Sequence, residues 1–486
     1  MNNKSLHILF ASAEAFPFAK IGGLGDVAGA LPQAIADLEP DAIDMRLVLP
    51  FHACIKQLNP PHRLIGSYSF AANGNTITCE LYVSQLGSLP VYLIDNDQIN
   101  HNSPVYHGDW ALDGIKYSTF SLALLEAARY LNWPIDILHA NDWHTALAVY
   151  ALRSIYREDP FFAKTKAVLT IHNLPFNGHG SQNAMSELGF VPSADQDLPD
   201  WAHFTPLPLG ISAADRVIAV SPGYAQEILT PEFGCGMNDY LVKHRSKVMG
   251  IINGIDTKAW DPASDRHIPH SFSAENLAGK SQTKSEFQMH AGFRVDAGIP
   301  LLTVVSRLDR QKGIGLILES LPRMLEKEWQ LAVLGTGDPE LEAETRQLAV
   351  QHPDRVVAFL RYDDALARLL YASGDIFLMP SFYEPCGLSQ MIAMRYGNLP
   401  LATATGGLKD TIIDYDSDLE KATGFLFTGQ TSEAFLKRLD DALTVFKDQS
   451  VWQLMQHHAM TSDFSWANSA QSYLQVYRDL ISDPTA

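Results

Sequence analysis

Short apolar runs alternate with helix-length segments twice along this chain, and that alternation restricts its fold more than any other feature. Leu6–Ala11, Met45–Leu49, Val91–Ile94, Ile137–His139, Val168–Ile171 and Val217–Val220 read as strands. Each is short and apolar, and turn or polar residues follow it. Leu24–Leu38, Ser118–Tyr130 and Ala146–Ile155 carry helical patterns between them. The rhythm restarts at Leu301. Leu301–Ser306, Leu331–Leu334, Val356–Phe359, Ile376–Met379 and Leu399–Thr403 read as strands, and Gly313–Leu325, Pro339–Gln351, Asp364–Ala372 and Leu388–Tyr396 as helices. Strands alternating with helices build a parallel sheet covered on both faces. The expected fold class is therefore α/β, with two Rossmann-like, doubly wound parallel-sheet domains. A length of 486 residues also exceeds one typical core. Asn253–Ser285, richer in Pro, Ser, Asp and Lys, reads as a connector.

Charge narrows the partners. The 36 basic and 55 acidic residues give a formal net charge of −19. So acidic a chain is a poor ligand for nucleic acid or anionic membrane. Any anion must be held by a local cluster, whereas an uncharged polymer meets no such penalty. Cys54, Cys79, Cys235 and Cys386 are dispersed, with no CxxC pair. Neither a zinc site nor a disulfide framework is indicated, and reduced thiols in a cytoplasmic setting are the simpler expectation. No apolar run reaches membrane-spanning length, and a strand starting at Leu6 leaves no room for a signal peptide.

Chemistry-bearing residues gather after the strands. Lys20-Ile21-Gly22-Gly23-Leu24-Gly25-Asp26-Val27 is a turn into a helix. Glycines admit a close approach, and amides at a helix start point at negative charge. The alternative is a tight turn with a solvated lysine. Ser306–Gly313 places Arg307 and Lys312 at another helix start. Basic groups there oppose the helix dipole unless an anion joins them. Glu384 in Ser381-Phe382-Tyr383-Glu384-Pro385-Cys386-Gly387-Leu388 is placed to accept sugar hydroxyls, and Thr405-Gly406-Gly407-Leu408 is a second glycine turn. His139–His144 and Ile171-His172-Asn173 add polar groups at adjacent strand ends. Trp143 and Tyr106 could stack on sugar faces or belong to the core.

Together these segments resemble the bacterial glycogen synthase and plant starch synthase family over nearly the whole chain. Val220–Tyr224, Ile252–Asp256 and Phe464-Ser465-Trp466 fit the same pattern. The resemblance implies a retaining glucosyltransferase of the GT-B type, with two facing Rossmann-like domains that close on an interdomain cleft. It implies transfer of glucose from ADP-glucose to the non-reducing end of an α-1,4-glucan, with no cofactor and no metal. The implied division is 1–248, 249–463 and a 464–486 segment returning to the first domain.

By motif, Arg307, Lys312, Glu384 and His172 are the implied catalytic residues. Arg307 and Lys312 would hold the diphosphate. Lys20, Gly22, Gly23, Asp26, Cys386, Gly387, Leu388, Thr405, Gly406 and Gly407 would surround the donor. Asp142, Asn173 and Asn253 would shape the glucose pocket, with Tyr106 at the sugar and Tyr362 on the adenine.

Two departures from the family stand out. Thr403-Ala404 precede the second glycine turn where a basic residue is usual, and Phe204–Gly210 replaces a Phe-Leu-Lys-Gly-type segment. They motivate the alternatives: a glucan-binding or regulatory homologue with weak transfer, or a synthase with altered donor or acceptor preference. Asp95-Asn96-Asp97 offers a rival metal-binding DxD reading, and Asp414–Asp418 resembles the start of a calcium loop without its glycine.

Overall fold

The structure is a computed structural model describing residues 5–100 and 104–482. The chain divides into two compact units, Met1–Gly254 with Trp466–Ala486, and Ile255–Ser465. Among the described residues no helix is long and apolar enough to cross a membrane.

Among the described residues unit 1 is built on nine strands: β1 Leu6–Ala11, β2 Ile43–Pro50, β3 Arg63–Ala72, β4 Asn75–Leu86, β5 Leu89–Asp95, β6 Ile137–Asn141, β7 Lys166–Ile171, β8 Arg216–Ala219 and β9 Val248–Gly250. Their order is β3-β4-β5-β2-β1-β6-β7-β8-β9. All neighbours are parallel except β3–β4 and β4–β5. Central strands such as β1 and β6 are buried on both faces, which explains why they are mostly apolar and do not alternate with polar residues. The β3–β4 hairpin was not expected. Its residues alternate in exposure, and it turns at Asn73 (φ 46°) and Gly74 (φ 82°). Asn-Gly is the residue pair such a two-residue turn favours.

The expected break after residue 248 would cut β9, which pairs with β8. The chain instead leaves unit 1 after Gly254 and re-enters it at Trp466. Phe464 belongs to the other unit, where its carbonyl accepts the Ile255 N–H at 2.8 Å. At the crossing point a Cβ on residue 254 would stand 2.7 Å from the Trp466 backbone, so only glycine fits. The helix Trp466–Ser482 then packs against the helix Gly23–Leu38. Tyr473, Leu474, Tyr477 and Leu480 join the core that holds Phe10, Leu31 and Ile35. The Tyr477 hydroxyl lies 2.5 Å from His139 Nδ1, and Thr170 Oγ1 lies 2.7 Å from Nε2, so this buried imidazole is fully partnered.

Unit 2 has six parallel strands: β10 Leu301–Val305, β11 Gln330–Leu334, β12 Val356–Phe359, β13 Ile376–Met379, β14 Leu399–Thr403 and β15 Phe425–Phe427. Their order is β12-β11-β10-β13-β14-β15. The supposed connector is not irregular throughout, because Ala278–His290 is a helix. Its Lys280 is buried and donates to the carbonyls of Ala372, Gly374 and Tyr396 at 2.7–3.0 Å. Lys284 pairs with Asp375 at 2.6 Å. Both lysines lie in the segment expected to be a connector, yet they fasten this helix to the sheet.

Replacing Tyr477 by phenylalanine strands the buried His139 Nδ1. The expected cost is about 1–3 kcal/mol of unit 1 stability. Urea unfolding followed by hydrogen exchange should show the loss in unit 1 amides and none in unit 2; equal loss in both would refute it.

Candidate active site

Ligand chemistry on a doubly wound sheet gathers at the carboxyl ends of strands where their order reverses. In unit 1 that point lies between β1 and β6, and in unit 2 between β10 and β13. Glu14 follows β1, Asp142 follows β6 and His172 follows the adjacent β7. Arg307 and Lys312 follow β10, while Ser381 and Glu384 follow β13.

The Lys20–Gly23 turn was expected to offer free amides to an anion, and here the structure corrects the expectation. Its anion is internal. The buried Glu14 carboxylate accepts the N–H of Ile21 at 2.5 Å and of Gly22 at 3.0 Å. Its other oxygen accepts the Tyr106 hydroxyl. Lys20 is also engaged, with Nζ 2.7 Å from Asp26 Oδ1. Both of those side chains are more than a third exposed, so the pair adds little stability and opens easily. Sequence reading passed over Glu14. The available signal was an acid directly after a buried strand and just upstream of paired glycines.

The glycines themselves are unexplained by the protein. A Cβ at Gly22 or Gly23 would have no heavy atom within 4 Å. Gly22 has an ordinary extended backbone (φ −136°). The missing side chains leave open space over the first turn of the helix Gly23–Leu38, where the Gly25 N–H already donates to the Gly22 carbonyl at 3.2 Å.

Tyr106 is held from behind. The buried Lys116 ammonium donates to the carbonyls of Pro104 at 2.6 Å and Val105 at 3.1 Å, and the Tyr117 hydroxyl donates to Val105 at 2.6 Å. Burial lowers the Lys116 pKa to about 8. Ser103, at the head of this segment, lies outside the described residues.

At β6 and β7, Asp142 adopts a left-handed backbone (φ 53°), a conformation that non-glycine residues keep only when their surroundings enforce it. Its Oδ1 accepts the N–H of His172 at 2.7 Å and of Asn173 at 3.3 Å. Burial nevertheless pushes its carboxyl up to about 7. The Asn141 amide donates to the Ala11 carbonyl at 3.0 Å, so its oxygen must accept from His172 Nε2 at 2.9 Å. That network assigns the proton to Nε2 and leaves His172 Nδ1 an acceptor. Burial lowers the imidazole to about 3, so the ring is neutral. Asn173 Oδ1 and Asn253 Oδ1 are buried without a partner among the described residues. Orphaned buried oxygens call for a donor from elsewhere. Trp143, by contrast, is buried edge-on to Tyr117 at 5.3 Å and belongs to the core.

In unit 2 two loops are sewn together. Gln311 donates to the Tyr383 carbonyl at 2.9 Å, and the Phe382 N–H donates to Gln311 O at 2.8 Å. Gly313 is left-handed (φ 68°), and a Cβ there would lie 2.0 Å from the Pro380 oxygen. This brings Lys312 Nζ to 2.6 Å from Glu384 Oε2, which also accepts from Ser381 Oγ at 3.1 Å. Both members of the pair are largely buried. Arg307 is instead 66% exposed and pairs with Asp309 at 2.7 Å.

The second glycine turn is partly consumed. The Gly407 N–H donates to the Glu384 carbonyl at 3.1 Å, and a Cβ there would stand 2.2 Å from Cys386 O. Gly407 therefore packs two loops together instead of offering a spare amide. Its neighbour Gly406 has φ 43°, and Thr405 holds the position before the first turn of this short helix, with no capping hydrogen bond from its side chain. Gly387 (φ 74°) is held through Gln390, which donates to the Cys386 and Gly387 carbonyls at 3.0 Å. Leu388 is half-buried beside them. Tyr362, beyond β12, is 81% exposed. At the end of β14, Thr403 Oγ1 is buried without a partner among the described residues.

The rival metal readings find other uses for their residues. Asp95 pairs with Lys56 at 2.5 Å, and Asn96 Oδ1 accepts the N–H groups of Gln98 and Ile99. Asp414 and Asp416 both bind Arg438. The Phe204–Gly210 segment runs into a helix, Pro206–Ala213, packed on the helix Asp142–Arg153. A Cβ on Gly210 would lie 2.6 Å from that of Ala146.

Comparison with known proteins identifies the family and the fold. Residues 7–243 match the starch synthase catalytic domain family, and 287–452 match the glycosyl transferases group 1 family. The chain is 39% identical over 484 residues to a glycogen synthase of Lactococcus lactis, covering 98% of this chain and 100% of that protein. It is 36% identical over 482 residues to a glycogen synthase of Syntrophotalea carbinolica, covering 98% and 99%. Among solved structures it resembles the catalytic domain of starch synthase IV from Arabidopsis thaliana bound to ADP and acarbose. The TM-score is 0.89 at 31% identity, over 99% of this chain and 100% of that one. A sucrose-phosphate synthase from Thermosynechococcus elongatus shares the fold, with TM-score 0.63 at 19% identity and 98% and 99% coverage. The two units are those of the GT-B fold class.

Two outcomes are expected, the first from packing and the second from the burial of titratable groups. Gly23→Ala should leave stability unchanged or raise it by up to about 1 kcal/mol, whereas Gly29→Ala, whose Cβ would lie 2.5 Å from Phe16 O, should destabilise. Thermal melts decide, and a large loss at residue 23 would contradict the open space there.

The second concerns pH. Burial lowers His52, His139 and His172 to about 3 and His144 well below its usual range. Unfolded, each takes a proton near pH 6.5. The unfolded chain therefore binds more protons below about 6.5, and stability is lost as pH falls. Asp142, with its raised pKa, acts oppositely: its contribution is lost as pH rises from about 4 through 7. One proton against four leaves a net loss on acidification. Urea midpoints for unit 1 should fall between pH 7 and pH 5; a flat or rising profile would contradict this.

Proposed function

The chain belongs to the glycogen synthase and starch synthase family, and from that premise we propose that it is a retaining glucosyltransferase that moves glucose from ADP-glucose to the non-reducing end of an α-1,4-glucan. The observation that carries the reading is the Arg307, Lys312 and Glu384 group at the point where the unit 2 strand order reverses.

Breaking the anomeric C–O bond leaves charge on the departing ADP and makes the sugar oxocarbenium-like. Preorganised cations at the diphosphate lower the energy of that state. Lys312 is already fixed by Glu384, so little reorganisation is needed to present it. The exposed Arg307 supplies the planar fork that suits phosphate oxygens. With two cations assigned to the diphosphate, the step as proposed requires no metal and no cofactor.

Glu384, neutralised by Lys312 and hydrogen-bonded by Ser381, serves as an acceptor for glucose hydroxyls and not as a covalent nucleophile. His172 Nδ1 and the oxygens of Asn173 and Asn253 are further acceptors for sugar hydroxyls. Asp142, near 7, is able to donate or accept. Gly22 and Gly23 leave room for the donor, Lys20 and Asp26 lie at its nucleotide side, and Tyr362 stacks on the adenine. Thr405, Gly406, Gly387 and Leu388 border the phosphates, with Cys386 and Gly407 behind them. The four cysteines form no disulfide among the described residues, which suits a reducing cytoplasm.

Arg307→Ala provides the test. Turnover of labelled ADP-glucose into glycogen should drop about 10²–10³-fold, with stability kept within about 0.5 kcal/mol, as expected for an exposed side chain. Near-wild-type turnover in that variant would remove Arg307 from the mechanism. UDP-glucose run in parallel should be the poorer donor.

A further inference from the structure

Unit 1 carries an aromatic pair that the donor-site assignments leave aside. Trp110 and Phe176 are 46% and 49% exposed. Their rings lie 6.4 Å apart between centroids, with planes 28° from parallel. Single apolar side chains on a surface mean little, but two large rings packed together mark a place for a partner. Neither ring is on a loose segment. Trp110 opens the helix Trp110–Tyr130, which Asp109 caps by accepting the Ala111 N–H at 2.9 Å. Its ring centroid stands 6.2 Å from that of Trp143. Phe176 sits on the loop after β7, where its N–H donates to Asn173 O at 3.1 Å. Gly178 (φ 82°) and Gly180 (φ 94°) press that loop onto the aromatics. A Cβ at 178 would lie 2.7 Å from the Trp143 ring, and one at 180 would lie 2.9 Å from Trp110 Cβ.

The pair is continuous with the pocket residues of the same unit. Phe176 shares its turn with Asn173, and Trp143 is the residue after Asp142. Ring contacts lead from Trp143 to His144 at 4.4 Å, and from His144 to Tyr106 at 5.1 Å. We infer that Trp110 and Phe176 form a stacking platform for the α-1,4-glucan, binding glucose units beyond the one that reacts. This rests on the glucosyl-transfer reading. The C–H faces of pyranose rings pack on the electron-rich faces of aromatic rings. A neutral polymer also suits a chain of net charge −19, which repels polyanions.

The test compares full-length wild type, Trp110→Ala and Phe176→Ala by native electrophoresis in glycogen-containing gels and by kinetics with maltoheptaose. Each variant should lose most of its retardation by glycogen and raise the KM for maltoheptaose about tenfold, leaving the KM for ADP-glucose unchanged. Trp110→Tyr, which keeps an aromatic face, should recover most of the binding. Trp110 packs on Trp143, so if Trp110→Ala fails to fold, Phe176→Ala on its exposed loop decides. A folded Phe176→Ala with wild-type retardation and KM overturns the platform, as does a wild type that glycogen does not retard. Retardation that the variants lose, in a wild type that transfers no glucose, overturns the transfer reading and upholds the platform.

Discussion

A parallel strand buried on both faces can offer a polar side chain to a ligand only where it ends; one along its length, such as His139, must be partnered inside the protein. That restriction organises both units. Their central strands β1, β6, β7, β10, β13 and β14 run in one direction, so within each unit the loops after them share one edge. Where the strand order reverses, neighbouring loops diverge and leave room. The groups with unusual chemistry sit at those two places: Glu14, Asp142 and His172 in one unit, Arg307, Lys312 and Glu384 in the other. Desolvation by the same sheets sets their electrostatics. It holds His172 neutral and raises Asp142, while salt-bridging compensates the burial of Lys312 and Glu384.

The internal partners also define what the Lys20–Gly23 turn leaves uncommitted. Glu14 occupies the amides of Ile21 and Gly22, and Asp26 occupies Lys20. These carboxylates keep the turn ordered in an acidic protein, where exposed amides and a lone lysine would draw in whatever anion was nearest. Of the two, only the exposed Lys20–Asp26 pair exchanges cheaply. The buried Glu14 network, tied to Tyr106, behaves as part of the frame.

How much of this the sequence disclosed depends on the range of each interaction. Strand and helix periodicity is local, and Val356–Phe359, Ile376–Met379 and Pro339–Gln351 lie where the pattern places them. The β3–β4 hairpin escaped because its strands are half polar, although Asn73-Gly74 announced the turn. β15, at three residues, is too short to have a period. Glu14 has no local signature at all. Its role exists only because Ile21, Gly22 and Tyr106 converge on it in space. Lys280 is similar: among serines and glutamines it reads as surface, but its three carbonyl acceptors lie about 100 residues away. The glycine turns divide in the same way. Sequence marks Gly23 and Gly407 alike, yet one faces open space and the other a carbonyl.

The return of Trp466–Ser482 to the first unit bears on how the protein is made. Synthesis proceeds from the N-terminus, and domains tend to fold as they emerge. Residues 1–254 appear first but lack the helix that covers Phe10, Leu31 and Ile35 and completes the His139 hydrogen bonds. All of Ile255–Ser465 must be translated before that helix exists. The second unit's sequence is thus complete before the first unit's is. The first unit waits with an apolar face uncovered, and in that interval the nascent chain is most in need of a chaperone.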